Sequence, residues 1–96
     1  MVLNQNPETL NFETLFGSKS RVKIIKILAE HGELNISRII SSTRLNHATV
    51  DLHLTFLKDA GFVQEKDFGN IRIFRFKEEN TKARGIKNLI KLIENH

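Results

Sequence analysis

The chain has 96 residues, 40% hydrophobic and 27% charged, with a net charge of +4. A chain of this length buries only roughly 60 to 65% of the surface its unfolded form exposes, which leaves little room for an enclosed catalytic cavity beside a core. Without cysteine it has no disulfide framework, thiolate metal site or thiol nucleophile.

No apolar run approaches the ~18 residues of a membrane span. The N-terminal Met1-Val2-Leu3-Asn4-Gln5-Asn6 lacks the charged-then-apolar order of a signal peptide. The expectation is a cytoplasmic protein that does not engage a membrane.

The single proline, Pro7, ends a polar lead, and Thr9 to Phe16 is expected to form a short helix with Leu10, Leu15 and Phe16 as its apolar residues. Ser18 is a suitable N-cap for a helix over Lys19 to His31, where Val22, Ile25, Leu28 and Ala29 recur at helical spacing and Gly32 stands just beyond the end. Glu33-Leu34-Asn35 suits no more than a bridge of strand. Asn35 or Ser37 then caps a short helix that places Ile36, Ile39 and Ile40 on one face and stops near Thr43. Asn46 opens the next helix, with Val50, Leu54 and Leu57 as its stripe and Gly61 closing it. Two helices joined across Thr43-Arg44-Leu45 make a helix-turn-helix.

Beyond Gly61 the period changes. Phe62 to Lys66 and Ile71 to Lys77 read as strands around the turn Asp67-Phe68-Gly69-Asn70, a β-hairpin. On its second strand Arg72, Phe74 and Phe76 share one face, and Ile71, Ile73 and Arg75 share the other. Asn80 or Thr81 opens a last helix striped by Ala83, Ile86, Leu89, Ile90 and Ile93. Gly85 marks either a fraying first turn or a close approach by another helix.

Charge follows these elements unevenly. Lys19, Arg21, Lys23, Lys26, Arg38 and Arg44 outweigh Glu30 and Glu33 over the helix-turn-helix region. Asp51, Asp59, Glu65 and Asp67 outweigh Lys58 and Lys66 in the next segment. Arg72, Arg75 and Lys77 then stand without an acid. Two basic blocks flank an acidic one.

Asn46, Thr49, Val50, His53, Leu54, Leu57, Ala60, Gly61, Phe62 and Val63 reproduce, in order, a pattern that resembles the winged helix-turn-helix regulators of the ArsR and MarR type, seen in archaea and bacteria. Ser18 to Ile25 looks like the first core helix of that family. The resemblance covers about Leu15 to Lys77. It implies an α+β, mainly α fold: a three-helix core, a β-hairpin wing, and flanking N- and C-terminal dimerisation helices. The corresponding division is 1–16, arm and short helix; 17–78, winged domain; 79–96, dimerisation helix. Arg44 stands where the family often has glycine. Asp51 and Leu52 replace residues that are often serine and a polar or basic residue. The cysteine-based metal sensing known in ArsR proteins is impossible here.

In such a fold the helix from His47 to Ala60 lies in the major groove of double-stranded DNA, so His47, Ala48, Thr49, Asp51 and Leu52 are the expected base readers. Lys19, Arg21, Lys23, Arg38, Arg44 and His53, with Arg72 and Arg75 on or beside a wing over 66–72, are the expected phosphate contacts. Leu10, Leu15, Phe16, Ala83, Ile86, Leu89, Ile90 and Ile93 are the expected homodimer interface.

Enzymatic readings are poorly supported. His47 and His53 fall on different sides of one helix, Glu78-Glu79 suits a helix start, and no phosphate-cradling glycine motif is present. No metal or cofactor is expected. The expected function is a homodimeric transcriptional regulator; a non-specific architectural or chromatin protein and a winged protein-docking module remain as alternatives. Operator, effector and regulatory sense are not legible.

Overall fold

The computed structural model of the chain describes residues 10–95. The polar lead with Pro7, and the expected helix start at Thr9, lie outside the described residues. Five helices and three strands follow in the order α1 (Phe12–Phe16), α2 (Lys19–His31), β1 (Glu33–Asn35), α3 (Ile36–Thr43), α4 (His47–Asp59), β2 (Val63–Phe68), β3 (Ile71–Phe76) and α5 (Thr81–Glu94).

Each helix starts on a side chain able to accept a hydrogen bond from an otherwise unpaired backbone N–H. Asn11 and Thr14 form a reciprocal capping box at α1. Ser18 Oγ accepts from Arg21 N at 3.2 Å. The Asn35, Asn46 and Asn80 side chains accept from Arg38 N, Thr49 N and Ala83 N at 2.8, 2.8 and 3.0 Å. Asn80 also donates through Nδ2 to Gly61 O at 3.1 Å, tying the start of α5 to the end of α4.

Helix α4 stops at Asp59, slightly before Gly61, because the chain turns left-handed at that glycine, where φ is +84°. Phe62 N then bonds to Leu57 O and Gly61 N to Lys58 O, a Schellman ending. The hairpin is tighter than the sequence suggests. Asp67 pairs with Arg72 and Phe68 with Ile71, so only Gly69 and Asn70 make the connection, and Gly69 supplies the positive φ of +62°.

The sheet order is β1-β3-β2, all antiparallel, and β1 pairs Leu34 with Phe74. The three-residue β1 thus anchors the base of the wing to the helical core. Ile24, Ile25 and Leu28 of α2, Ile39 of α3, Val50, Leu54 and Leu57 of α4, and Phe62, Phe74 and Phe76 form one buried core, with Ala83 of α5 and Leu15 of α1 at its edge. Among the described residues nothing lies within 4 Å of a Cβ placed on Gly85, so none of their elements explains that glycine.

Arg44 closes α3 in the left-handed region, at φ 61° and ψ 25°. Such a conformation costs a residue with a Cβ roughly 1 kcal/mol relative to glycine. Arg44→Gly is therefore expected to raise the melting temperature by roughly 4 to 8 °C. A fall in melting temperature would show that the arginine side chain contributes more than its backbone costs.

Candidate nucleic-acid interface

Capping by Asn46 projects the first turns of α4 away from the core. His47 and Ala48 are exposed, Thr49 is half-buried, and Leu52 is 64% exposed despite being fully apolar. Val50 and Leu54, on the opposite side of the helix, are fully buried. The helix is held by its inner stripe while its outer side remains open.

The cations around it fall into two groups. Lys19, Lys23, Arg38 and Arg44 are exposed and, among the described residues, make no ion pair with a carboxylate. Among the described residues the Arg38 side chain donates to Ser42 Oγ alone, at 3.3 Å. Lys23 and Arg44 line the same shallow depression between α2 and the end of α3, beside Ser42 and Thr43. Lys26 also borders it, but pairs with Glu94 at 3.0 Å.

The wing cations, by contrast, are engaged within the chain. Arg72 Nε donates to Glu65 Oε2 at 2.7 Å and an Arg72 terminal nitrogen donates to Asp51 Oδ1 at 3.0 Å. Lys58 pairs with Glu65 at 2.9 Å and Lys66 with Glu33 at 2.9 Å. Arg75 donates to both carboxylate oxygens of Glu79, at 3.1 and 2.8 Å, and to Gln64 Oε1 at 3.0 Å. Arg72 and Arg75, both expected phosphate contacts, thus each hold carboxylates within the chain. Asp51, an expected base reader, faces the wing arginine.

Arg21 and His53, also expected phosphate contacts, engage each other. His53 is buried, and Arg21 Nε donates to its Nδ1 at 3.2 Å. The Arg21 guanidinium lies 3.7 Å from the centroid of the Phe56 ring and also donates to Thr14 O. This node joins α1, α2 and α4 rather than projecting toward a ligand.

The Glu65 carboxyl is held down at about 2, chiefly by the Arg72 hydrogen bond, against the burial that raises it and with Lys58 assisting. The same contact pushes Arg72 up, while a hydrogen bond to Glu65 pushes Asp67 up. Because the folded value for Glu65 lies below its ordinary 4.5, the associated stability is complete above that pH and is lost as pH falls toward about 2. Glu65→Gln is expected to cost on the order of 1 to 2 kcal/mol at neutral pH, and to melt like the parent in strong acid. A gap that persists unchanged in acid would contradict this role.

At the opposite end, the expected dimer stripe divides. Leu15 and Ala83 are corrected out of it, since both lie inside the chain's own core at 5% and 0% exposure. Leu10, Phe16, Ile86 and Ile90 are half-buried against that core. Leu89 and Ile93 remain exposed at 44% and 62%, and are joined by Leu92 at 79%, which the stripe read from sequence omitted. Phe12, also missed, is 70% exposed and borders, with Leu10, Phe16, Ile86 and Leu89, an apolar trough between α1 and α5.

Among the described residues no group of three His, Asp or Glu side chains could hold a metal ion, and no helix is long and apolar enough to cross a membrane.

Comparison with known proteins supports this architecture. The family model described as bacterial regulatory protein, arsR family, matches residues 18–65. An uncharacterised HTH-type transcriptional regulator of Methanocaldococcus jannaschii is 30% identical over 79 residues, covering 82% of this chain and 83% of its own. The transcriptional repressor PagR of Bacillus anthracis superposes with a TM-score of 0.64 at 27% identity, over 76% of this chain and 80% of its own. Reduced HlyU from Vibrio cholerae shares the fold, with a TM-score of 0.72 at 18% identity over 83% and 81% of the two chains. A Mycobacterium bovis fragment described as a homodimeric winged helix-turn-helix DNA-binding domain does so with a TM-score of 0.63 at 24% identity, over 79% and 68%. With the family model spanning the helix-turn-helix and the start of the wing, and a regulator related over four-fifths of its length, the chain belongs to the arsR family of transcriptional regulators and has its winged helix-turn-helix fold.

Proposed function

We propose that the protein is a cytoplasmic homodimer that binds double-stranded DNA as a sequence-specific transcriptional regulator, with α4 of each protomer in a major groove. The observation that carries this reading is the placement of charge. Lys19, Lys23, Arg38 and Arg44 are exposed on the helix-turn-helix without carboxylate partners among the described residues, whereas the wing cations Lys66, Arg72 and Arg75 are paired. Cations left without internal partners are available to phosphates and release counterions on binding. His47, Ala48, Thr49 and Leu52 then face the base edges, where the threonine and leucine methyl groups suit thymine.

Two copies meeting through α5, with α1 alongside, cover Leu89, Leu92, Ile93 and Phe12. The described homodimeric relative supports the pairing. A two-fold arrangement with recognition helices about 34 Å apart calls for inverted half-sites one helical turn apart.

Lys19→Ala/Lys23→Ala tests the phosphate surface. The variant is expected to melt like the parent and to bind duplex with a salt slope reduced by about two per protomer, about four for a dimer. An unchanged affinity and slope would sink this placement of the DNA, while loss of the fold would assign the two lysines to structure.

A further inference from the structure

Asp51, Lys58, Glu65 and Arg72 form a continuous set of charges across the junction of α4 and the wing. Lys58 bonds to Glu65 at 2.9 Å, Glu65 to Arg72 at 2.7 Å, and Arg72 to Asp51 at 3.0 Å. Asp67 adds a third carboxylate through its hydrogen bond to Glu65, so two cations meet three carboxylates and the cluster carries no net positive charge. It occupies the edge of the recognition helix and the inner face of the hairpin. There the proposed docking brings duplex phosphates close, and a winged regulator gains from positive charge.

The geometry points to Asp51 and Glu65 as specificity-determining residues that neutralise the α4–wing junction and so limit sequence-independent binding. This rests on the DNA-binding reading above. Attraction to phosphate that ignores sequence grows with the number of cations available to it, and its salt dependence grows in step. Carboxylates that hold Arg72 and Lys58 remove two cations from that number, and they place negative charge beside any phosphate that approaches. Binding then depends more heavily on the fit of His47, Ala48, Thr49 and Leu52 to base edges. Asp51 therefore acts through Arg72 instead of accepting from cytosine. The Arg72 guanidinium lies 5.4 Å from the Phe74 ring centroid and joins the wing to α4 through Asp51.

The test measures affinity of the parent, D51N, E65Q, D51N/E65Q and D51N/E65Q/R72A for a mixed-sequence duplex between roughly 50 and 200 mM salt. Each single neutralisation is expected to tighten binding roughly threefold at the low-salt end and to steepen the salt slope by about 0.9 per protomer, about 1.8 for a dimer. The double variant should exceed either single one, and adding R72A should remove about one slope unit per protomer, about two for a dimer. D51N carries the test should the Glu65 variants unfold, since the Asp51 side chain is 43% exposed.

A D51N variant with unchanged or weaker mixed-sequence binding overturns the inference. If its affinity for a selected operator falls while mixed-sequence binding is unchanged, Asp51 is a base reader. Failure of the parent to bind any duplex at low salt instead removes the DNA-binding reading, and this inference with it.

Discussion

Leu89→Lys/Ile93→Lys is expected to leave each chain folded and to split the proposed dimer. Ile86 and Ile90 are poor probes of association, because both pack against the core of their own chain and their loss would damage the monomer. Leu89 and Ile93 stand one helical turn apart at 44% and 62% exposure and contribute little to that core. In a two-fold interface every side chain is used twice. Burial of each leucine or isoleucine is worth roughly 1.5 to 3 kcal/mol, so four such side chains account for most of a micromolar or tighter association.

Replacing them with lysine removes that burial and sets like charges across the axis. The expected outcome is a halved solution mass, an unchanged circular dichroism spectrum, and duplex affinity reduced by at least about a hundredfold, as one half-site replaces two. An unchanged solution mass with the fold intact would contradict pairing through this end of α5.

Arg21→Ala is expected to act on stability before it acts on DNA. The arginine lies in the basic run Lys19-Ser20-Arg21-Val22-Lys23, yet its guanidinium covers Phe56, donates to His53 Nδ1 and reaches Thr14 O. Removing it takes a charge-assisted donor from a buried imidazole and uncovers an aromatic ring. Hydrogen bonds to charged groups contribute about 1.5 to 3 kcal/mol, and a desolvated cation over a ring adds up to about 2. A total cost of roughly 2 to 4 kcal/mol corresponds to a fall in melting temperature of roughly 10 to 25 °C for a domain of this size.

Arg21→Lys is expected to recover little, because an ammonium cannot stack flat on Phe56 while donating in two further directions. A melting temperature within a few degrees of the parent, together with a large loss of duplex affinity, would return Arg21 to the phosphate surface.

These two residue sets show where sequence reasoning succeeds and where it stops. The caps Ser18, Asn46 and Asn80, the apolar stripes and the glycine turn are local signals, and each element forms where its own residues dictate. The charge surface is different, because a cation's availability depends on what the fold brings to it. Once the hairpin register pairs Glu65 with Phe74 and Asp67 with Arg72, Glu65 and Arg72 become diagonal neighbours on one face. That contact was within reach of the sequence. The approach of Asp51 to Arg72 is not, since it depends on how α4 packs against the sheet. The same holds for Arg21 and His53, far apart in the chain and joined only by the crossing of α2 and α4. Leu92 escaped notice because it lies beside the stripe that seats α5, on the side that the chain leaves open.

Sequence-specific binding is measured most directly by selection from a pool of random duplexes at near-physiological salt, followed by sequencing of what the purified protein retains. The expected result is a motif of two inverted half-sites about one helical turn apart, with positions that change when Thr49 or Leu52 is substituted. Retention of DNA without any motif would contradict it, reducing the outer side of α4 to scaffold and the protein to one that binds duplexes by charge and shape alone.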